Sequence, residues 1–223
     1  MNFRSILAIL GVLVFGSGVV LAISGASIVG SEVERSRWSG ITAEFVTTEG
    51  GNISGVDING TTLTDRWASY YGNVSGDIIL TDSVGTSRVY TWTWTPADGG
   101  EVCVSDASAF NWTAVVAGLG SSIDTAMGWV SGADTGTITY TGAGGSITFN
   151  GVAPITTADS VTLTGSSTFD DVVVTDTTEL AYCTDIDDAG TNYAGEDADY
   201  EIMVPTPDDV GDTVDYYFFA ELN

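Results

Sequence analysis

The 223-residue sequence predicts an all-β protein: an antiparallel β-sandwich, jelly-roll or immunoglobulin-like, with one short helix, preceded by an N-terminal hydrophobic helix. Three observations predict it. Apolar and polar residues alternate with the two-residue period of strands. Turn signals recur about every ten residues, the spacing of sandwiches and barrels. The 30 acidic residues comprise 21 Asp and nine Glu, beside 28 glycines. Asp and Gly favour turns and strand ends, whereas Glu favours helices.

The elements follow in order. Residues 38–48 place Ile41, Ala43, Phe45 and Thr47 on one strand face. Residues 53–58 lead into Asn59-Gly60, a two-residue hairpin turn. Strands are predicted over 61–71 and 74–80, with a turn at Gly72-Asn73. After the turn at Asp82-Ser83-Val84-Gly85, residues 87–95 set Val89 against Tyr90, Trp92 and Trp94 in alternating phase. A strand over 101–105 follows the loop at Pro96. Residues 121–130 carry Ile123, Met127 and Val130 at helical spacing, which predicts the single helix. Further strands are predicted over 137–141, 146–150, 160–164, 172–175, 179–183, 200–204 and 214–222.

Arg4 precedes an uncharged run to Ser31 whose apolar part spans 6–23. This reads as a secretion signal, with small residues for cleavage near Ala22 or Ala26, or as a single membrane anchor. Either way, residues 32–223 form one exported domain at the cell surface or beyond it. The membrane then enters only through an uncleaved N-terminal segment. An exported chain with two cysteines most simply pairs them, here Cys103 with Cys183. Four glycosylation sequons start at Asn52, Asn59, Asn73 and Asn111.

The formal charge of −25 excludes nucleic acid as a partner. Five arginines are the only cations, with no lysine and no histidine. Ser–His–Asp and Cys–His catalysis, histidine-ligated metals, P-loops and Schiff bases are thereby excluded. Acid excess without lysine fits a halophilic archaeal setting, or an acidic envelope protein that needs divalent cations. The stretches Gly51-Asn52-Ile53-Ser54-Gly55-Val56, Arg66-Trp67-Ala68-Ser69-Tyr70-Tyr71-Gly72-Asn73-Val74-Ser75-Gly76 and Tyr216-Tyr217-Phe218-Phe219-Ala220-Glu221-Leu222 span most of the domain. They resemble a group of archaeal secreted and cell-surface proteins. The resemblance implies an exported archaeal β-sandwich and no catalytic activity.

Residues 185–196 follow the spacing of a calcium loop at its first, third, sixth and twelfth positions. Asp185, Asp187, the Thr191 carbonyl and Glu196 are the expected ligands, with Asp188 or Asp197 in support. Ala189 breaks the pattern, and strand-like flanks argue against a true EF-hand. Sodium or potassium would be looser occupants. No other cofactor is expected. Asp134-Thr135-Gly136 matches the short aspartic-protease signature but lacks the preceding apolar strand and a faithful second copy. No pair among the 30 acids is singled out for glycoside hydrolysis. Trp67, Tyr70, Tyr71, Tyr90, Trp92 and Trp94 are expected in the core, with a sugar-binding platform as the alternative.

The function expected from these residues is a non-catalytic, glycosylated structural or interaction protein of an archaeal envelope or surface filament. Its partners would be like subunits or other envelope proteins. A strand near residues 41–47 that completed a neighbour's sheet would link such a filament. The alternative is a carbohydrate- or calcium-binding surface module.

Overall fold

The computed structural model describes residues 24–25, 63–82, 85–149, 152–163, 169–207 and 213–223. The apolar run 6–23, residues 41–47 and the hairpin turn at Asn59 lie outside the described residues.

The described chain is mostly strand, in antiparallel pairs. β1 (Ser24–Gly25), β2 (Trp67–Gly72), β3 (Asp77–Thr81), β4 (Arg88–Thr93), β5 (Gly100–Ser105) and β6 (Val116–Ala117) come first. The helices α1 (Gly120–Met127) and α2 (Gly136–Thr139) follow. β7 (Gly142–Ile147), β8 (Ile155–Thr162), β9 (Asp170–Thr175), β10 (Leu180–Asp185), β11 (Tyr200–Pro205) and β12 (Tyr217–Leu222) complete the order. The large sheet runs β1-β12-β5-β10-β9-β8-β7, with β6 also paired to β9. Two smaller sheets are β11-β2 and β3-β4. Ser24 and Gly25, inside the span read as the export segment, pair with Ala220 and Phe219 of β12.

The middle of the large sheet is apolar on both faces, as its continuous burial requires. All six residues of β5 are buried. On one face Cys103, Val172, Val174, Ala181, Cys183 and Phe219 pack beneath Phe110, Trp112, Phe149 and Ile155. On the other, Val104, Val173 and Tyr182 meet Ile123 of α1, Trp129, Tyr140, and Ile202 and Val204 of β11. The β11-β2 pair therefore packs over that second face. Its tie to the sheet is polar as well, because the Met203 N–H donates to Asp171 of β9 at 2.5 Å; the hydroxyl of Tyr140, which follows α2, donates to the Met203 carbonyl at 3.3 Å.

The helix expected over 121–130 forms as α1. Asp159 accepts from the Gly120 N–H at 2.8 Å, and the helix stops at Gly128 with φ 72°, a left-handed cap that suits glycine. The strand expected over 137–141 is instead α2. Asp124, in the middle of α1, accepts from the N–H groups of Gly136 (2.6 Å) and Thr137 (3.1 Å) and from the Thr137 hydroxyl (2.6 Å). That carboxylate caps a turn of helix where side-chain alternation alone suggests extension.

Cys103 and Cys183 sit directly opposite each other on β5 and β10 and are joined by a disulfide. The bridge closes a loop between residues 80 apart. Replacing both cysteines by alanine should lower folding stability by about 2–5 kcal/mol. Chemical denaturation at constant salt measures this, and an unchanged midpoint would show that the bridge adds nothing to the β5-β10 pairing.

Candidate functional site

The loop expected to bind calcium is built around Asn192, which is fully buried. Its Oδ1 accepts from the N–H groups of Ala194 (2.9 Å) and Glu196 (3.0 Å), and its amide donates to Glu196 Oε2 at 3.2 Å. Asp187 Oδ1 accepts from the Ala189 N–H at 2.9 Å. Thr191 forms a bridge with Asp197. Asp185 ends β10, across from Glu101. Gly190 admits no side chain, because a Cβ there would meet the Phe169 ring at 2.3 Å and the Ala198 carbonyl at 2.6 Å. The sequence pattern thus coincides with a compact loop in which Asp187 and Glu196 already accept internal hydrogen bonds. Among the described residues, no three His, Cys, Asp or Glu side chains converge as a group that could hold a metal ion.

Asn52 and Asn59 lie outside the described residues, whereas Asn73 and Asn111 are both exposed. Asn111 Oδ1 accepts from the Thr113 N–H (3.2 Å) and hydroxyl (2.7 Å), so this sequon folds as a side-chain turn on the surface. Asp134 of the protease-like triplet is tied elsewhere. It pairs with Arg66 at 3.1 Å and accepts from the Thr64 hydroxyl at 2.7 Å. The Arg66 guanidinium in turn lies 5.2 Å from the centre of the Trp129 ring.

Sequence reasoning missed the buried carboxylates. Glu101, Asp171, Asp199, Glu201 and Glu221 are all buried. Glu221 of β12, Glu101 of β5 and Asp185 of β10 stand opposite one another on adjacent strands. Like charges in such register repel. Burial, then the charges of Glu221 and Asp185, push Glu101 up to about 8, against a hydrogen bond from Asn223. Burial also raises Asp171 well above the usual carboxylate range, opposed by the Met203 N–H and the Tyr140 hydroxyl. The strand register is the signal that would expose this row, and it is not visible in a single sequence.

The aromatic residues divide. Trp94 is buried and its indole N–H donates to the Gly99 carbonyl at 3.0 Å. Trp67 packs edge-on against Trp129, with ring centres 5.3 Å apart. Tyr90 and Trp92, expected in the core, are 57% and 48% exposed. The reason is topological: β4 pairs only with β3 among the described strands, and this hairpin stands clear of the large sheet. Tyr70 and Tyr71 are also partly exposed, and Tyr71 meets Tyr193 edge-on at 5.8 Å. A pocket of ≈ 50 Å³ lined by Asp106, Met127, Leu180, Tyr182 and Tyr216 has room for water rather than a sugar or metabolite.

Comparison of the chain with protein-family models, with curated proteins and with solved structures finds no match.

Two outcomes follow from this geometry. Asn192→Ala should destabilise the protein by about 2–3 kcal/mol, because it strips partners from a buried turn; Asp187→Ala, at a half-buried position, should cost less. Paired denaturation curves compare them, and equal effects would contradict the assigned centre of the loop. For Glu101, the unfolded carboxyl releases its proton near 4.5 and the folded one near 8. Stability should therefore decline as pH rises through that window and stay low above it. Glu101→Gln should flatten the decline and stabilise the protein by about 1–3 kcal/mol at about pH 9. Melting temperatures across pH, with an unaltered slope in the variant, would refute it.

Proposed function

We propose that this chain is an exported, glycosylated β-sandwich that serves as a non-catalytic structural or interaction protein of an archaeal cell envelope or surface filament. The observation that carries the reading is the β3–β4 hairpin. It presents Ile78, Leu80, Tyr90 and Trp92 to solvent in a protein of net charge −25. Apolar area of this kind on an otherwise charged surface marks a contact site. The disulfide supports an oxidising compartment. The exposed sequons at Asn73 and Asn111 support a surface open to glycans, and the resemblance to archaeal surface proteins supports the setting.

A carbohydrate-binding module is the second reading, and the exposure of Tyr90 and Trp92 favours it. Their rings are inclined at 60°, so they do not form one flat platform across which a sugar would stack. Interface-type packing suits that geometry better.

The test is made on cells that produce the protein. Immunogold electron microscopy should place it on the cell exterior. Mass spectrometry of the native protein should find glycan on peptides containing Asn73 and Asn111. Label confined to the cell interior, with both asparagines unmodified, would overturn the reading.

A further inference from the structure

The large sheet carries a row of carboxylates across its strands. Glu221 of β12 stands opposite Glu101 of β5, and Glu101 opposite Asp185 of β10. Cys183 of β10 stands opposite Val172 of β9, and two residues further along both strands the same register sets Asp185 against Asp170. Four adjacent strands therefore bring acids to one line. It lies on the face of Phe219, Cys103, Cys183 and Val172, two residues along each strand from that apolar row. Opposed side chains in a sheet start about 4.5–5.5 Å apart, so these like charges repel. The chain has no lysine or histidine to neutralise them. Of the two described arginines, Arg66 pairs with Asp134 and Arg88 lies on the separate β3–β4 hairpin.

Glu101 is the member of the row that points to a ligand. It is only 5% exposed; its Oε1 accepts from the Asn223 amide at 3.4 Å, and its Oε2 has no hydrogen-bond partner among the described residues. A buried carboxylate oxygen left in that condition is costly. The charges that act on it are those of Glu221 and Asp185, so the carboxyl is aimed into the row. Asp185 is exposed and opens the row to water. Two calcium–oxygen bonds of about 2.3–2.6 Å span about 5 Å, the spacing of neighbouring strands. Glu221 and Asp185 lie two spacings apart, about 9–10 Å, so the row offers pairs of ligands and no three carboxylates converge. We propose that Glu101 and Asp185 bridge a calcium ion across β5 and β10, with water completing its shell on the exposed side. Calcium takes six to eight oxygens in irregular arrangements, which suits two carboxylates at a wet rim. Glu221 and Asp170 add negative charge on either side. Asp185, the first ligand expected of the 185–196 loop, then serves the sheet, whereas Asp187 and Glu196 of that loop accept internal hydrogen bonds. The ion fastens the same strand pair as the disulfide. The site is independent of the surface-protein reading.

The experiment uses the full chain, stripped with a chelator and titrated with calcium chloride by calorimetry in molar sodium chloride, which screens loose binding to the acidic surface. It is run at about pH 9, above the value of about 8 to which Glu101 is pushed, so that no proton competes. Wild type is compared with Glu101→Gln, Asp185→Asn and Asp187→Ala, and circular dichroism checks that each is folded. Asp185 is exposed, so Asp185→Asn keeps the test open should Glu101→Gln misfold. Wild type should show a saturable site. Its affinity should fall about tenfold or more in Glu101→Gln and in Asp185→Asn and hold in Asp187→Ala. Calcium should raise the melting temperature of wild type and of Asp187→Ala, and leave that of Glu101→Gln where it is. Wild type without saturable heat overturns the proposal. So does binding as tight as wild type in both row variants. Loss in Asp187→Ala with retention in Glu101→Gln also overturns it and returns the ion to the 185–196 loop.

Discussion

The structure depends on the pairing of β5 with β10. These two strands occupy the middle of the large sheet, and both of their faces are covered. There, among the described residues, an acid-rich chain gathers apolar side chains in two layers. Val104, Val173 and Tyr182 anchor one layer, and Cys103, Cys183 and Val172 the other. The disulfide lies between directly opposed residues, so it locks the register of the strands that every neighbour builds on. A slip by one residue would exchange the two core faces and bring Glu101 to the side of Val104. β12 then adds beside β5, and β9 and β8 beside β10, each in the register this centre sets.

A lysine- and histidine-free chain must solve buried charge without the usual partners. Asp171 shows how. It lies in the sheet that faces β11, and its carboxyl accepts an N–H that the β11-β2 pairing leaves over. Burial raises that carboxyl well above the usual carboxylate range, which favours a neutral tie between the layers over an ionic one. At the rim of the sheet the same problem recurs in a row. Glu221, Glu101 and Asp185 share one line across three strands, where proton retention by Glu101 relieves the repulsion. The acidity that keeps the exterior hydrated therefore reaches into the fold and couples its stability to pH.

Most strands were legible because alternation and turn residues act locally. The Ser87–Thr95 reading contains β4, the reading over 200–204 lies within β11, and the cysteine pair follows from simple counting under export. What was not legible depends on partners distant in sequence. Residues 137–141 look extended until Asp124 caps them into a helical turn. Residues 185–196 look like a cation loop, yet Asn192, which the calcium pattern ignores, organises the hydrogen bonds there. Tyr90 and Trp92 alternate as core residues do, but alternation shows only that a strand has two faces. Whether either face is covered is decided by sheet order, and β3-β4 pairs apart from the other described strands.

That separation gives the net charge a positional meaning. Over most of the surface two copies repel one another, which suppresses nonspecific contact even where single apolar side chains are exposed. The hairpin is different because it carries an arginine and few acids, with apolar residues exposed on both of its faces. A strongly acidic surface is thus compatible with specific contact, because the described hairpin exposes apolar side chains where acids are few.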